Sequence, residues 1–579
     1  MNIHAIRHDT LTGCYAYDES TLIIKLETGK DVTSVRVYTG DPFDGWVDGV
    51  WKGDMHEMVC TAEKKHTLVW HASVAPKYKR LQYYFEIASG DERTYLFEDG
   101  IHTDGNGKAG TIVQYFKHAW LNPADVCIVP KWAEDVVWYQ IFPDRFCRAC
   151  GSASKSSLKI LPWGEEKNAR FYNFYGGNIR GITDKLGYIK ELGIGGLYLT
   201  PIMRSDTNHR YNTHDYTLVD PELGSESDLK ELISKAHDMG IKIMLDAVFN
   251  HCGTEFFAWR DVVENGKKSR YYDWFFINDE QFDKSNNSTK DGRYYSFAFA
   301  AYMPKLNTNN KEVMNYLIDI CKGWIALGVD GLRFDVGNEI SHAFLKKLRL
   351  ELKAIKPDVY LLGEIWHRSL PWLLGDEYDS VMNYQFLESV NGFMIDKRET
   401  ARDLMYALNE SYSIYYKQIN SVLFNMLDNH DVDRAVTRCK SADGLLQELT
   451  VLMTMPGSPC IYYGTETALC GEVAESRNRR CMDWHGIESG KYDEIMSEFK
   501  SIVALRKLLI QFKDCNIEWN VGENRLVNYA WKNAQGKRME IYLNASDSSV
   551  DISIDNPIAY SRLLDGNALL PGGIAVLCG

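Results

Sequence analysis

The chain has 579 residues, 45% of them hydrophobic and 25% charged, with a formal net charge of −14. That length exceeds what one hydrophobic core organises, so about two to four domains are expected. The acidic balance argues against nucleic acid or an anionic membrane surface as the main partner, and no apolar run reaches the length of a membrane span.

In chain order, the start "MNIHAIRHDTLTG" lacks a basic segment followed by an apolar one, which reads as the absence of a secretory signal. Residues 1–120 hold β-branched and aromatic runs such as "SVRVYTG", "HTLVWHASV" and "LQYYFEIASGDERTYLF", punctuated by Gly, Asp and Ser turns. They predict an N-terminal β-sandwich. Over 121–511 short apolar runs alternate with helical stretches. The strand candidates lie in "VVWYQIFPDRF", "IGGLYLTPI", "IKIMLDAVFNH", "VDGLRFDV", "DVYLLGEIW", "SVMNYQF", "SVLFNMLDN" and "SPCIYYGTE". Near-continuous apolar strands separated by helices predict an α/β fold, a (β/α)8 TIM barrel with its sheet buried on both faces. The stretch 252–307 after the third strand is too long for a plain loop and predicts a small inserted domain. Residues 512–579 return to short strands and turns and predict a C-terminal antiparallel β-domain.

Within the first barrel unit, Cys147 and Cys150 have C-x-x-C spacing. A zinc site needs a second pair or suitably spaced histidines, so two free thiols are the expectation and a reversible disulfide the alternative. The scattered distribution of all 13 cysteines fits reduced thiols and a cytoplasmic protein.

Active sites of such barrels form at the C-terminal strand ends. The third strand ends in Asp246, Asn250 and His251, the fourth in Arg333 and Asp335, the fifth in Glu364 followed by Trp366, and the seventh in Asp428, Asn429, His430 and Asp431. Taken alone, Arg333 and Asp335 two positions apart on a strand would be a structural ion pair. Four strand ends converging with acids, histidines and an arginine form the inventory that glycosidase chemistry needs: a carboxylate nucleophile, a protonated carboxylic acid and groups that bind sugar hydroxyls. Aromatic residues, 12% of the chain, suit sugar rings but equally suit a large core.

"DAVFNH", "GLRFDVGNE", "EIW" and "DNHD", in this order, resemble the four signature regions of the α-amylase family of glycoside hydrolases. "MPKLN" (303–307), "WYQIFPDRF" and "NHRYNTHDY" resemble the cyclomaltodextrinase, neopullulanase and maltogenic amylase subfamily. The resemblance implies Asp335 as nucleophile, Glu364 as general acid and base, and Asp431 as the third catalytic acid. It implies substrate binding by Tyr211, His251, Arg333, Trp366 and His430. Asp246 and Asn250 are expected to support the site from behind, and His214 to be a surface residue. Arg333 should keep Asp335 ionised, while burial against Trp366 and two nearby anions should keep Glu364 protonated. A retaining enzyme holds its two carboxyls roughly 5–5.5 Å apart, a spacing that adjacent strand ends supply.

The implied activity is retaining hydrolysis of α-1,4-glucosidic bonds in cyclodextrins, malto-oligosaccharides and pullulan. A transglycosylase using a sugar acceptor shares the first half-reaction, and a non-catalytic carbohydrate-binding relative is the third alternative. Many family members carry an acidic calcium loop after the first strand. Here "FCRACGSASKSSLK" has no acid and Asn178 stands where Asp is common, so no calcium and no other cofactor are expected. In the resembling enzymes the N-terminal domain builds a homodimer, which is the expectation here; a starch-binding module or a structural cap is the alternative.

Overall fold

The computed structural model describes residues 1–579 apart from 107–113, 150–159, 166–172, 280–286 and 514. At its centre eight parallel strands close into a barrel. They are β1 (Trp138–Ile141), β2 (Gly196–Leu199), β3 (Lys242–Ala247), β4 (Gly331–Phe334), β5 (Tyr360–Gly363), β6 (Ser380–Asn383), β7 (Phe424–Met426) and β8 (Ser458–Tyr462). The barrel closes where β1 meets β8, with Trp138 opposite Cys460. Nearly every strand residue is buried, because helices cover the outer face and side chains fill the interior.

The helices form where apolar residues recur at helical spacing behind a good cap. Glu226–Asp238, between β2 and β3, buries Leu229, Leu232, Ile233 and Ala236. It begins with a capping box in which Ser225 accepts from the Asp228 backbone and the Asp228 carboxylate accepts from the Ser225 backbone. Between β5 and β6 the connection carries only a 3₁₀ turn, Leu370–Trp372.

The N-terminal β-sandwich pairs a four-stranded with a six-stranded antiparallel sheet. Its core holds Leu22, Ile24, Val35, Phe85 and Ile87. It docks on the barrel elements that lead from β6 to β7. Tyr15 stacks on Tyr416 with centroids 4.3 Å apart, its hydroxyl accepts from the Lys417 backbone at 3.1 Å, and the Gln418 amide donates to the Ala16 and Tyr17 carbonyls. The C-terminal six-stranded antiparallel sheet packs on the helix Ala442–Thr454. There Trp531 Nε1 donates to the Thr454 carbonyl at 2.9 Å, and the Gln447 amide donates to the carbonyls of Asn544 and Gly573.

Two excursions shape the face above the strand ends. Among its described residues the insert after β3 contains one α-helix, Phe257–Asn265, and isolated bridges that include His251–Lys305 and Phe275–Leu306. Its buried aromatics Trp259, Trp274 and Phe275 join the barrel's own core, so the insert is a lobe of that core. The loop after β2 is braced by the hairpin of Met203–Arg204 with Asp215–Val219. Arg210, buried and left-handed at φ 60°, binds Asp220 at 2.9 Å and shapes the turn that presents Tyr211.

Candidate active site

The site grows from the register of β3, β4 and β5. Asp246 lies opposite Arg333, and Phe334 lies opposite Gly363, so Asp335 and Glu364 are the next residues on adjacent parallel strands. Arg333 has no exposed surface and reaches three carboxylates. Its Nη1 donates to both oxygens of Asp246 at 2.9 and 3.0 Å and to Asp335 Oδ1 at 2.9 Å, and its Nη2 lies 2.8 Å from Glu364 Oε2. The sequence reading paired Arg333 with Asp335 alone. The structure corrects this: the guanidinium touches both Asp335 and Glu364 and so does not by itself distinguish them.

The backbone after β4 adds donors. Val336 is left-handed (φ 47°, ψ 47°), a costly conformation for a β-branched residue. The turn points the Val336 N–H at Glu364 Oε2 at 3.0 Å and the Gly337 N–H at the Glu364 carbonyl at 2.9 Å. A Cβ on Gly337 would come within 2.9 Å of the Tyr378 hydroxyl, which explains glycine at this position.

Trp366 also departs from expectation. It is 54% exposed, stacks on Tyr384 with centroids 4.1 Å apart, and donates from Nε1 to Glu364 Oε1 at 3.1 Å. It therefore contributes a hydrogen bond to Glu364 where apolar burial was expected. The Tyr384 hydroxyl lies 3.4 Å from the same oxygen and accepts from the Asn429 amide at 3.0 Å.

Both histidines are held in one tautomer. The Gln140 amide on β1 sits 2.8 Å from His430 Nδ1, so that nitrogen accepts and the proton belongs on Nε2. There it faces the Tyr211 hydroxyl at 2.6 Å and Asp431 Oδ2 at 3.0 Å. The Tyr211 hydroxyl in turn donates to Asp246 Oδ2 at 2.9 Å, and its half-buried ring lies parallel to His430. His251 Nε2 donates to the Tyr211 carbonyl at 3.1 Å and lies 3.9 Å from Asp335 Oδ2. Asn250 is buried beside it, its amide 3.3 Å from His251 Nδ1.

Asp431 is half-buried and paired with Arg479 at 3.1 Å, whose Nε also donates to the His430 carbonyl at 2.8 Å. Asp428 turns away from this cluster and accepts from the Ala435 backbone at 3.0 Å. Asn429 accepts from the Asp431 backbone at 2.8 Å, which shapes the turn after β7. His214 is largely covered rather than on the surface, 3.6 Å from Asp206.

Sequence reasoning missed Tyr198, Gln140, Tyr384 and Arg479. Tyr198 on β2 donates to Asp246 Oδ2 at 2.7 Å. Gln140, a lone amide inside an apolar strand, carried a usable signal; Arg479, in a polar loop after β8, carried none. Asn178 accepts from the Gly181 backbone at 2.8 Å as the cap of the helix Ile179–Asp184. Cys147 is a buried thiol pushed up to about 11 by burial. Cys150 and the loop 150–159 lie outside the described residues.

Residues 140–535 match the model described as "Alpha amylase, catalytic domain", and 1–122 match "Alpha amylase, N-terminal ig-like domain". The chain belongs to the α-amylase family of glycoside hydrolases. Among its relatives, an intracellular maltogenic amylase of Bacillus subtilis is 40% identical over 531 residues, 91% of this chain and 88% of the relative. A cyclomaltodextrinase of Geobacillus thermopakistaniensis is 38% identical over 560 residues, 95% of this chain and 92% of the relative. A solved structure described as a cyclomaltodextrinase superposes with a TM-score of 0.89 at 31% identity, covering 100% of both chains.

The electrostatics of this α-amylase-family site are those of a buried anionic cluster. Burial pushes the Asp335 carboxyl well above the usual carboxylate range; Arg333 opposes this, and Glu364, Asp246 and Asp431 reinforce it. Burial raises Asp246 as well, against the pull of Arg333. Both histidines move the other way. Burial, then the charge of Lys305, lowers His251 to about 3; burial, then Arg479, lowers His430 well below the imidazole range. In the unfolded chain His251 titrates near 6.5. As pH falls from there, the unfolded state takes up a proton that the folded state refuses, so this stability is present above about 6.5 and is lost on the way to about 3. His251→Gln removes that slope. The gap in melting temperature between the parent and His251→Gln should therefore shrink as pH is lowered from about 7 to about 4. A gap that stays constant over that range would contradict a neutral, buried His251.

Proposed function

We propose that this chain hydrolyses α-1,4-glucosidic bonds in cyclodextrins and short malto-oligosaccharides, with pullulan as a further substrate, and retains configuration at the anomeric carbon. One observation carries the reading: Asp335 and Glu364 stand on adjacent strand ends, bridged by one buried guanidinium. Asp335 attacks the anomeric carbon while Glu364 protonates the departing oxygen. The resulting glycosyl–enzyme ester is then cleaved by water that Glu364 deprotonates. Burial pushes Asp335 and Asp246 toward the protonated form against the pull of Arg333, so the cluster retains a proton. In the first step that proton is used from Glu364.

The remaining residues bind the sugar. Tyr211 offers a ring face beneath the reacting unit. Asp431, held by Arg479 and His430, takes hydroxyls of the distorted ring. His251 and His430 flank the same unit, and exposed Trp366 stacks on the leaving-group side. Asp246 and Asn250 brace this set through Arg333, Tyr211 and His251. The relatives named above carry the names of hydrolases, which favours water over a sugar acceptor. The name of the Bacillus subtilis relative supports a cytoplasmic setting. Asp335→Asn and Glu364→Gln should each lower turnover of β-cyclodextrin and maltotriose by at least about a thousandfold. Proton NMR of the parent reaction should show the α-anomer released first. Unchanged turnover in both variants, or initial β-anomer, would refute the assignment.

The chain is further proposed to work without calcium, since Asn178 is engaged as a helix cap and the stretch 146–159 contains no acid. EDTA should leave the melting temperature unchanged; a large loss restored by added calcium would overturn this. A homodimer through the N-terminal domain is supported by apolar side chains exposed between residues 43 and 59, with Phe43 at 80% and Val59 at 59%. Light scattering at micromolar concentration should give twice the chain mass of 66.4 kDa; a monomer would remove the proposal.

A further inference from the structure

Lys305 lies on the return segment of the insert, which runs antiparallel to the residues just past β3. His251 bridges to Lys305, Leu306 N donates to the Asn250 carbonyl at 3.0 Å, and Cys252 N donates to the Pro304 carbonyl at 3.1 Å. These contacts aim the ammonium inward. Lys305 Nζ donates to Asn250 Oδ1 and also to the Glu339 carboxylate at 2.8 Å, in the turn after β4.

The consequence runs through the Asn250 amide, whose two ends have nearly the same shape but opposite hydrogen-bonding character. An ammonium has no lone pair, so the end facing Lys305 must be the oxygen. The other end, the NH2, then lies 3.3 Å from His251 Nδ1 and donates to it. His251 Nδ1 is therefore an acceptor, and its single proton resides on Nε2. That nitrogen faces the Tyr211 carbonyl at 3.1 Å and Asp335 Oδ2 at 3.9 Å. His430 obtains the same tautomer from a neutral amide, Gln140, on the opposite side of the site.

We propose that Lys305 is a positioning residue: by binding the Asn250 side-chain oxygen it supports the Nε2–H tautomer of His251, whose proton goes to the Tyr211 carbonyl and so holds the ring beside Asp335. The nearby ammonium also disfavours a second proton on the ring. The link to turnover rests on the glycosidase reading of Asp335; the link to the tautomer does not.

The experiment is nitrogen-15 NMR of the full-length chain labelled at histidine, with His251→Gln used to assign the signal. The parent should show His251 protonated at Nε2. Lys305→Met should introduce the Nδ1–H form, and Lys305→Arg, which still donates to Asn250, should restore Nε2–H. Asn250→Asp presents only acceptors to His251 and should convert it to Nδ1–H with Lys305 intact; a His251 that stays Nε2–H in that variant would show that Asn250, and so Lys305 through it, does not set the tautomer. On maltotriose, kcat of Lys305→Met should fall roughly tenfold to a hundredfold, with a smaller change in KM, as expected when a reacting group is misplaced. Lys305→Arg should recover most of that loss. A Lys305→Met chain that keeps Nε2–H, or loses activity only in proportion to its unfolded fraction, would overturn the proposal. Failure of the parent on every α-glucan would defeat the glycosidase reading instead, and the tautomer result would still stand or fall by the NMR signal.

Discussion

The constraint on which the site depends is the burial of Arg333. A guanidinium with no exposed surface is stable only if its charge is met at close range, since an unpaired ion inside a protein is strongly destabilising. Three carboxylates from three neighbouring strands meet it: Asp246, Asp335 and Glu364. The same contacts fix the carboxylates of Asp335 and Glu364 relative to one another, because the planar guanidinium holds its partners in set directions. With three acids around one cation, the cluster carries excess negative charge in a place where water screens little. Burial accordingly pushes Asp335 and Asp246 upward. An acid that must deliver a proton near neutral pH is naturally found in such a group.

Around this cluster the protein spends its polar groups on orientation. Tyr198 and Tyr211 donate to Asp246, Gln140 and Asn250 set the protonation of the two histidines, and Arg479 ties Asp431 to the turn after β7. Val336 bears a strained conformation that delivers its N–H to Glu364. Such strain, of order 1–3 kcal/mol, persists only where the surroundings over-determine it. Here Tyr378, which donates to the Gly337 carbonyl at 3.1 Å, and the Glu364 backbone hold the turn from the far side.

The additional domains bear on this centre through the barrel's connections. The N-terminal sandwich grips the segment between β6 and β7, and the C-terminal sheet grips the helix between β7 and β8. Those elements flank the turn that carries His430 and Asp431. The insert acts more directly, since its return segment lies against the end of β3 and carries Lys305 to Asn250.

The sequence by itself determined the barrel and the identity of the residues at its strand ends. Alternation of apolar strands with amphipathic helices has few packed solutions, and "DAVFNH", "GLRFDVGNE", "EIW" and "DNHD" each carry polar groups where an apolar run stops. The three-domain character was equally legible, because β-rich and βα-rich patterns differ in period. Only the tertiary structure decided how those residues divide their contacts. Arg333 and Asp335 share a strand face, which suggests a pair, yet no local pattern reveals that Asp246 and Glu364 on the flanking strands compete for the same cation. Trp366 could not be read as a donor to Glu364, nor Gln140 and Lys305 as the groups that set histidine tautomers. Gln140 and Lys305 act across 290 and 55 positions, on His430 and Asn250, while the Trp366 bond to Glu364 spans two positions but depends on where the packed fold points both side chains. Periodicity records which side of an element is buried. It does not record which distant polar atom will be waiting there, and in this site that atom decides the chemistry.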